Sequence, residues 1–310
     1  MHVVITGATG TIGRATTEAL LDRGDAVTAL TRSRSRAEEQ LGAERRAGLD
    51  LREWSEPTSS QPAADVLAGA DAVINLLGEP ISQRWTPDAK RRIRDSRVLA
   101  TRNLVTAIRA LAPEDRPRVL VAGSATGIYG PRGDAPVGEG AAPYDDYLAE
   151  VVVAWEAEAR NAEDMMRVAL MRTGVVLSPE GGALAKMLPF FRLGIGGPVA
   201  GGRQYVPWVH LDDVVGALLL ALDDERLSGP ANVTAPGAAT NADLSRALGH
   251  VLHRPAFLPV PGLALRALYG EMSELVTTGQ RAVPRRLQEV GYEFRQPELE
   301  PALSDVLAGK

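Results

Sequence analysis

A chain of 310 residues with 45% apolar residues can bury one large core, or a core plus a smaller lobe. Its net charge of −5 and its lack of cysteine exclude a dedicated nucleic-acid binder, disulfides, thiolate catalysis and Cys-ligated zinc. No run reaches the roughly 18 apolar residues of a membrane span, and residues 1–7 lack the basic flank of a secretion signal. The expectation is a cytoplasmic protein with a small-molecule substrate and no membrane or nucleic-acid partner, as a monomer or a homodimer.

In chain order, residues 3–6, 26–31, 72–77, 118–122 and 167–172 are short, continuously apolar runs that read as buried strands. Between them, 10–23, 88–111 and 146–160 carry helical periodicity. Apolar strands alternating with helices predict a parallel sheet covered on both faces. Residues 54–62, rich in Ser, Thr and Pro, read as a surface loop. After Arg172 the pattern changes. Helices are expected at 181–193 and 212–222, separated by the glycine cluster Gly194, Gly196, Gly197, Gly201 and Gly202. That cluster suits a mobile lid or a plain loop. Residues 232–307 hold two or three helices and Pro-rich turns. The fold expected is α/β: a Rossmann-type doubly wound parallel sheet with a smaller, mainly helical substrate lobe. The sheet domain takes 1–173 and 206–230, and the lobe takes 174–205 and 231–310.

Gly7, Gly10 and Gly13 follow the first strand and open the first helix. In that context the spacing points to a dinucleotide site. The first glycine permits the turn, the second lets main-chain N–H groups approach a pyrophosphate, and the third lets the helix pack closely. The second strand ends in Thr31-Arg32-Ser33, with no carboxylate for an adenosine 2′-hydroxyl. Arg32 and Ser33 instead suit a 2′-phosphate, so NADP(H) is expected over NAD.

The sequence also resembles the extended short-chain dehydrogenase/reductases, specifically an atypical, epimerase-like NADP-binding subfamily with a C-terminal helical module of unknown function. The resemblance rests on the glycine turn, on Asn75 to Ile81, Arg84-Trp85, Ser96-Arg97 and Gly123 to Gly130. It continues through Trp155-Glu156, Gly181 to Leu184, Pro207 to His210, Gly270 to Met272 and Pro284 to Leu287. It implies that Gly7, Thr9, Gly10, Thr11, Ile12 and Gly13 line the pyrophosphate and that Arg32 holds the 2′-phosphate. Leu76, Leu77 and Gly78 would run under the nicotinamide ribose, Ser124 and Ala125 would end the strand below the nicotinamide, and Thr173, Gly174 and Val175 would flank its carboxamide.

The superfamily's catalytic pattern is a Ser with Tyr-x-x-x-Lys on one helix face. Here Tyr147 lies 23 residues after Ser124, but the position four residues on is Val151. None of the six tyrosines has a lysine at that spacing; the lysines are Lys90, Lys186 and Lys310. Three readings stay open. Ser124 and Tyr147 act without the lysine; another group acts, such as Tyr129, Glu139, Asp145, Asp146, Lys186 or His210; or the protein binds NADP(H) without turnover. Arg84, Trp85, Arg97, Tyr129 and His210 are the candidate substrate-side residues. No metal site is expected, because His250 and His253 lack a third ligand. The leading function is an NADP(H)-dependent oxidoreductase or epimerase-like enzyme acting on a small polar carbonyl or hydroxyl metabolite. The alternatives are an NADP(H)-binding sensor or partner-binding protein and a nucleotide-sugar epimerase.

Overall fold

A computed structural model of the chain describes residues 1–42 and 46–308. The end of the expected lobe, at residues 309 and 310, lies outside the described residues. The strands are β1 (His2–Thr6), β2 (Ala26–Thr31), β3 (Leu49–Glu53), β4 (Ala72–Asn75), β5 (Val119–Ala125), β6 (Gly133–Val137) and β7 (Arg167–Thr173). They continue with β8 (Val175–Leu177), β9 (Tyr205–Val206), β10 (Trp208–His210), β11 (Gly229–Val233), β12 (Ala239–Thr240) and β13 (Gln280–Ala282). The helices are α1 (Thr11–Asp22), α2 (Arg34–Leu41), α3 (Ala64–Leu67), α4 (Pro87–Arg109), α5 (Tyr147–Arg160) and α6 (Gly182–Arg192). Then follow α7 (Leu211–Asp223), α8 (Asn241–Leu252), α9 (Gly262–Tyr269), α10 (Glu274–Thr277), α11 (Arg285–Glu289) and α12 (Leu299–Ala308).

Seven strands form one sheet in the order β11-β7-β5-β4-β1-β2-β3, every pair parallel. This is the doubly wound α/β architecture, and its chain reversal lies between β1 and β4. Alternate residues of each strand feed opposite cores. Val3, Ile5, Val121 and Met171 pack with Leu20, Val214 and Leu218 of α1 and α7. Val4, Val73, Leu120 and Leu170 pack with Leu104, Ile108 and Ala159 of α4 and α5. A third core joins Leu184, Leu188 and Phe191 of α6 to Trp208, Leu244, Leu248 and Leu303, and holds the lobe together.

The last strand of the sheet runs to Val233, past the expected boundary at 230. Among the described residues the tail carries five helices, α8 to α12, where two or three were expected. Those missed are short, since α10 has 4 residues and α11 has 5, too few to show a helical period. β3 and β6 were likewise unread, because Asp50, Arg52, Asp134 and Pro136 interrupt any apolar run. Among the described residues no helix is long and apolar enough to cross a membrane.

Candidate functional site

The residues expected to bind a dinucleotide gather at the carboxyl edge of the sheet, on both sides of the chain reversal. α1 begins at Thr11 with Gly10 as its N-cap, and no side chain caps it. Its first turn contains no acidic residue. The free N–H groups and the helix dipole therefore favour an anion there. Gly7 has φ 71°, which side chains disfavour, and a Cβ would sit 2.7 Å from the Leu76 carbonyl oxygen. At Gly13 a Cβ would lie 2.1 Å from the Gly7 carbonyl oxygen, so only glycine lets α1 press onto the turn. Gly10 is exposed, and the nearest atom to its Cβ position is 3.4 Å away. Its missing side chain leaves room for a phosphate to approach the main-chain N–H groups.

Arg32 is exposed past the end of β2, and among the described residues no carboxylate pairs with it. Ser33 is the N-cap of α2, with its hydroxyl 3.3 Å from that of Ser35. A guanidinium, hydroxyls and a helix start thus share one corner. Leu76 and Leu77 are half-buried and Gly78 is exposed. On the other flank Ala125, Thr173, Gly174 and Val175 are half-buried at the ends of β5 and β7. A Cβ on Gly174 would be 1.9 Å from the Pro207 carbonyl oxygen, which accepts the Val175 N–H at 2.7 Å.

A buried polar seam ties these strand ends to the helices behind them. The Thr6 hydroxyl donates to Asn75 Oδ1 (2.7 Å), and Asn75 Nδ2 donates to Thr101 Oγ1 (2.9 Å). The Trp155 indole donates to the same Thr101 oxygen at 3.0 Å. The Arg97 guanidinium lies against that indole, 5.4 Å from the ring centroid. Such internal satisfaction is what permits polar groups at this depth.

The expected chemistry is placed differently. Ser124 is buried, and its hydroxyl donates to Glu156 Oε1 at 2.6 Å. Glu156 in turn accepts from Arg172 Nε (2.7 Å) and Nη2 (2.8 Å), a bidentate pair inside the protein. Burial opposes the charge on Arg172, but the Glu156 carboxylate outweighs it and raises the guanidinium pKa. The Ser124 proton is therefore directed inward, at odds with the catalytic role expected for this hydroxyl. Tyr147 starts α5 and is half-buried. Its hydroxyl donates to the Lys90 carbonyl oxygen at 2.7 Å, and its ring meets Trp85 edge-on at 5.3 Å. Burial raises its pKa, against the opposing charges of Arg97 and Arg94, so it gives up its proton less readily than a free tyrosine. The fold does bring a lysine to this ring. Lys90 Nζ lies 4.8 Å from the centroid, but over its face, and pairs with Glu271.

Two expected substrate residues are corrected. Tyr129 is fully buried, donating to Asn232 Oδ1 (2.7 Å) and accepting from Arg172 Nη1 (3.0 Å). His210 is buried and caps α7, its Nδ1 accepting the Asp212 N–H at 3.1 Å. Its Nε2 lies 3.2 Å from an Asp305 carboxylate oxygen. His210, Asp212 and Asp305 bring one ligand atom each to within 4.8 Å of one another, a grouping that the sequence reading did not foresee. His250 pairs with Glu300 at 2.6 Å, and His253 ends α8 in the left-handed conformation. Arg84 is exposed, while Trp85 donates its indole N–H to the Ile81 carbonyl.

The contacts that the lobe makes with the cleft were not anticipated. Arg14 pairs with Glu180, and a Cβ on Gly181 would lie 2.5 Å from Thr11 Oγ1, so the segment after β8 lies across the glycine turn. Lys186 reaches from α6 to the Ser82 carbonyl. These partners are 166 and 104 residues apart, and no local pattern announces them.

Fold, glycine turn and strand-end geometry define a Rossmann-type dinucleotide-binding protein. Residues 3–234 match the NAD dependent epimerase/dehydratase family, and the chain belongs to it. Residues 260–306 match DUF1731, a domain of unknown function, in the place where the sequence resembled a C-terminal module. The chain is 41% identical to the chloroplastic epimerase family protein SDR39U1 homolog of Arabidopsis thaliana, over 99% of this chain and 87% of that one. It is 38% identical to epimerase family protein SDR39U1 of Mus musculus, over 99% and 100%. The crystal structure of human epimerase family protein SDR39U1 (isoform2) with NADPH superposes with a TM-score of 0.87 and 34% identity, each chain covered in full (100%).

Proposed function

We propose that this protein is an NADP(H)-dependent oxidoreductase of the epimerase family, acting on a small polar carbonyl or hydroxyl compound. The observation that carries the cofactor assignment is Arg32, an exposed guanidinium without a carboxylate partner among the described residues, at the end of β2. The NADPH in the human relative's crystal structure supports the same choice. Gly7 to Gly13 would hold the pyrophosphate through main-chain N–H groups, and Arg32 and Ser33 the 2′-phosphate. Leu76 to Gly78 and Ala125 would lie by the nicotinamide ribose and ring, and Thr173 to Val175 by its carboxamide. When bound, NADP(H) supplies or accepts a hydride at its nicotinamide.

A second reading, NADP(H) binding without turnover, is favoured by two hydrogen bonds. Ser124 donates to Glu156 and Tyr147 to the Lys90 carbonyl, so neither proton is free for a substrate. The same bonds disfavour a nucleotide-sugar epimerase, which must both remove and return a proton. Calorimetry with NADPH and NADH tests the cofactor assignment. Arg32→Glu should weaken NADPH at least roughly tenfold, by removing a charge-assisted contact and adding repulsion, and barely change NADH. Equal losses for both would remove Arg32 from the site. NADPH consumption across a panel of small carbonyl compounds then separates the readings, since binding with no consumption anywhere favours the second.

A further inference from the structure

The helix α5 lacks a cation four residues after Tyr147, yet the structure brings one to the same face of α5, one turn further on, from a different helix. Positions 147, 151 and 155 follow one another along one face of α5. They are Tyr147, Val151 and Trp155. The Arg97 guanidinium, projecting from α4, sits over the Trp155 ring, one turn beyond Val151. On its other side it lies against the main chain of Gly78. A Cβ there would be 2.8 Å from Nη2, 2.9 Å from Cζ and 3.3 Å from Nε.

Its hydrogen bonds are unbalanced. Nη1 donates to the carbonyls of Glu79 and Ile93, both at 3.0 Å. Nε and Nη2 have no partner among the described residues, and no carboxylate pairs with the group. Arg97 is half-buried, and the two nitrogens without a protein partner are left free to donate to the oxygens of a ligand. Burial lowers its pKa, opposed by Tyr147 and then Glu79.

We propose that Arg97 supplies from α4 the fixed positive charge that the Tyr-x-x-x-Lys helix supplies in the wider superfamily, and that its free N–H groups bind the nicotinamide-ribose hydroxyls of NADP(H). Arg97 is then a cofactor-positioning residue rather than a substrate clamp. This rests on the NADP(H) reading above. A guanidinium cannot shuttle protons near neutral pH, so this arrangement fixes the cofactor without building a proton relay.

The test compares NADPH with adenosine 2′,5′-bisphosphate, which keeps the 2′-phosphate corner but lacks the nicotinamide ribose. Affinities are measured by calorimetry on the intact protein and on Arg97→Gln and Arg97→Lys. Arg97→Gln should lose about tenfold in NADPH affinity, as expected for a charge-assisted bond. Its affinity for the bisphosphate should stay within about twofold, showing an intact fold, and Arg97→Lys should recover most of the NADPH loss. Unchanged NADPH affinity in Arg97→Gln overturns the inference. So does an equal loss of both ligands that Lys fails to rescue, since Arg97 would then be only structural. Failure of the unaltered protein to bind either ligand would instead sink the NADP(H) reading itself.

Discussion

The two halves of the sheet's carboxyl edge are built in opposite ways. Around the glycine turn and the end of β2 the start of α1, the glycines and Arg32 have no side-chain partner among the described residues. Around β5 and β7 the polar groups face inward and are paired, with Ser124, Glu156, Arg172 and Tyr129 satisfying one another behind the edge. Open donors suit a ligand that brings its own anions. A closed network suits a support. The contrast says that holding a dinucleotide is built into this chain more visibly than moving a proton.

That contrast can be broken at several points. The largest effect is expected at Gly13→Ala, whose methyl carbon would fall 2.1 Å from the Gly7 carbonyl oxygen. We expect a loss of roughly 4 kcal/mol or more in stability, together with nucleotide binding, by denaturant melts and calorimetry. Retained binding would mean that α1 does not need its close seat on the turn. Next, Glu156→Ala leaves Arg172 buried without its partner and should cost about 3–5 kcal/mol. If nucleotide affinity measured on the folded fraction is unchanged, the inward network is a support and nothing more. Smallest is Tyr147→Phe, which removes one hydrogen bond to the Lys90 carbonyl, about 1 kcal/mol. NADPH consumption should be unaffected. A large fall would show that the tyrosine leaves that carbonyl to serve a substrate.

The outward half was legible from sequence because its signals are local. Three glycines at fixed spacing after an apolar strand, and an arginine where an acid would stand, lie within one βαβ unit. The inward half was not. Ser124 is placed by Glu156 on a later helix, and Tyr129 by Asn232, 103 residues away. A strand-end serine and a tyrosine 23 residues later look the same on paper whether their hydroxyls face the cleft or the core. Arg97 was picked out as a cleft residue, but its seat on Trp155 and its position under Gly78 depend on how α4 and α5 pack. The short tail helices escaped for want of periodicity.

The polar seam from Thr6 through Asn75 and Thr101 to Trp155 carries one last implication. Thr6 donates to Asn75, and Asn75 and Trp155 both donate to Thr101, so the floor under the glycine turn and the indole beneath Arg97 behave as one stiff beam. A ligand that seats itself at the adenosine end settles onto a surface whose far end is already set. Any adjustment to different guests therefore falls to the lobe above, where Lys186 and Glu180 hold on by single exposed contacts.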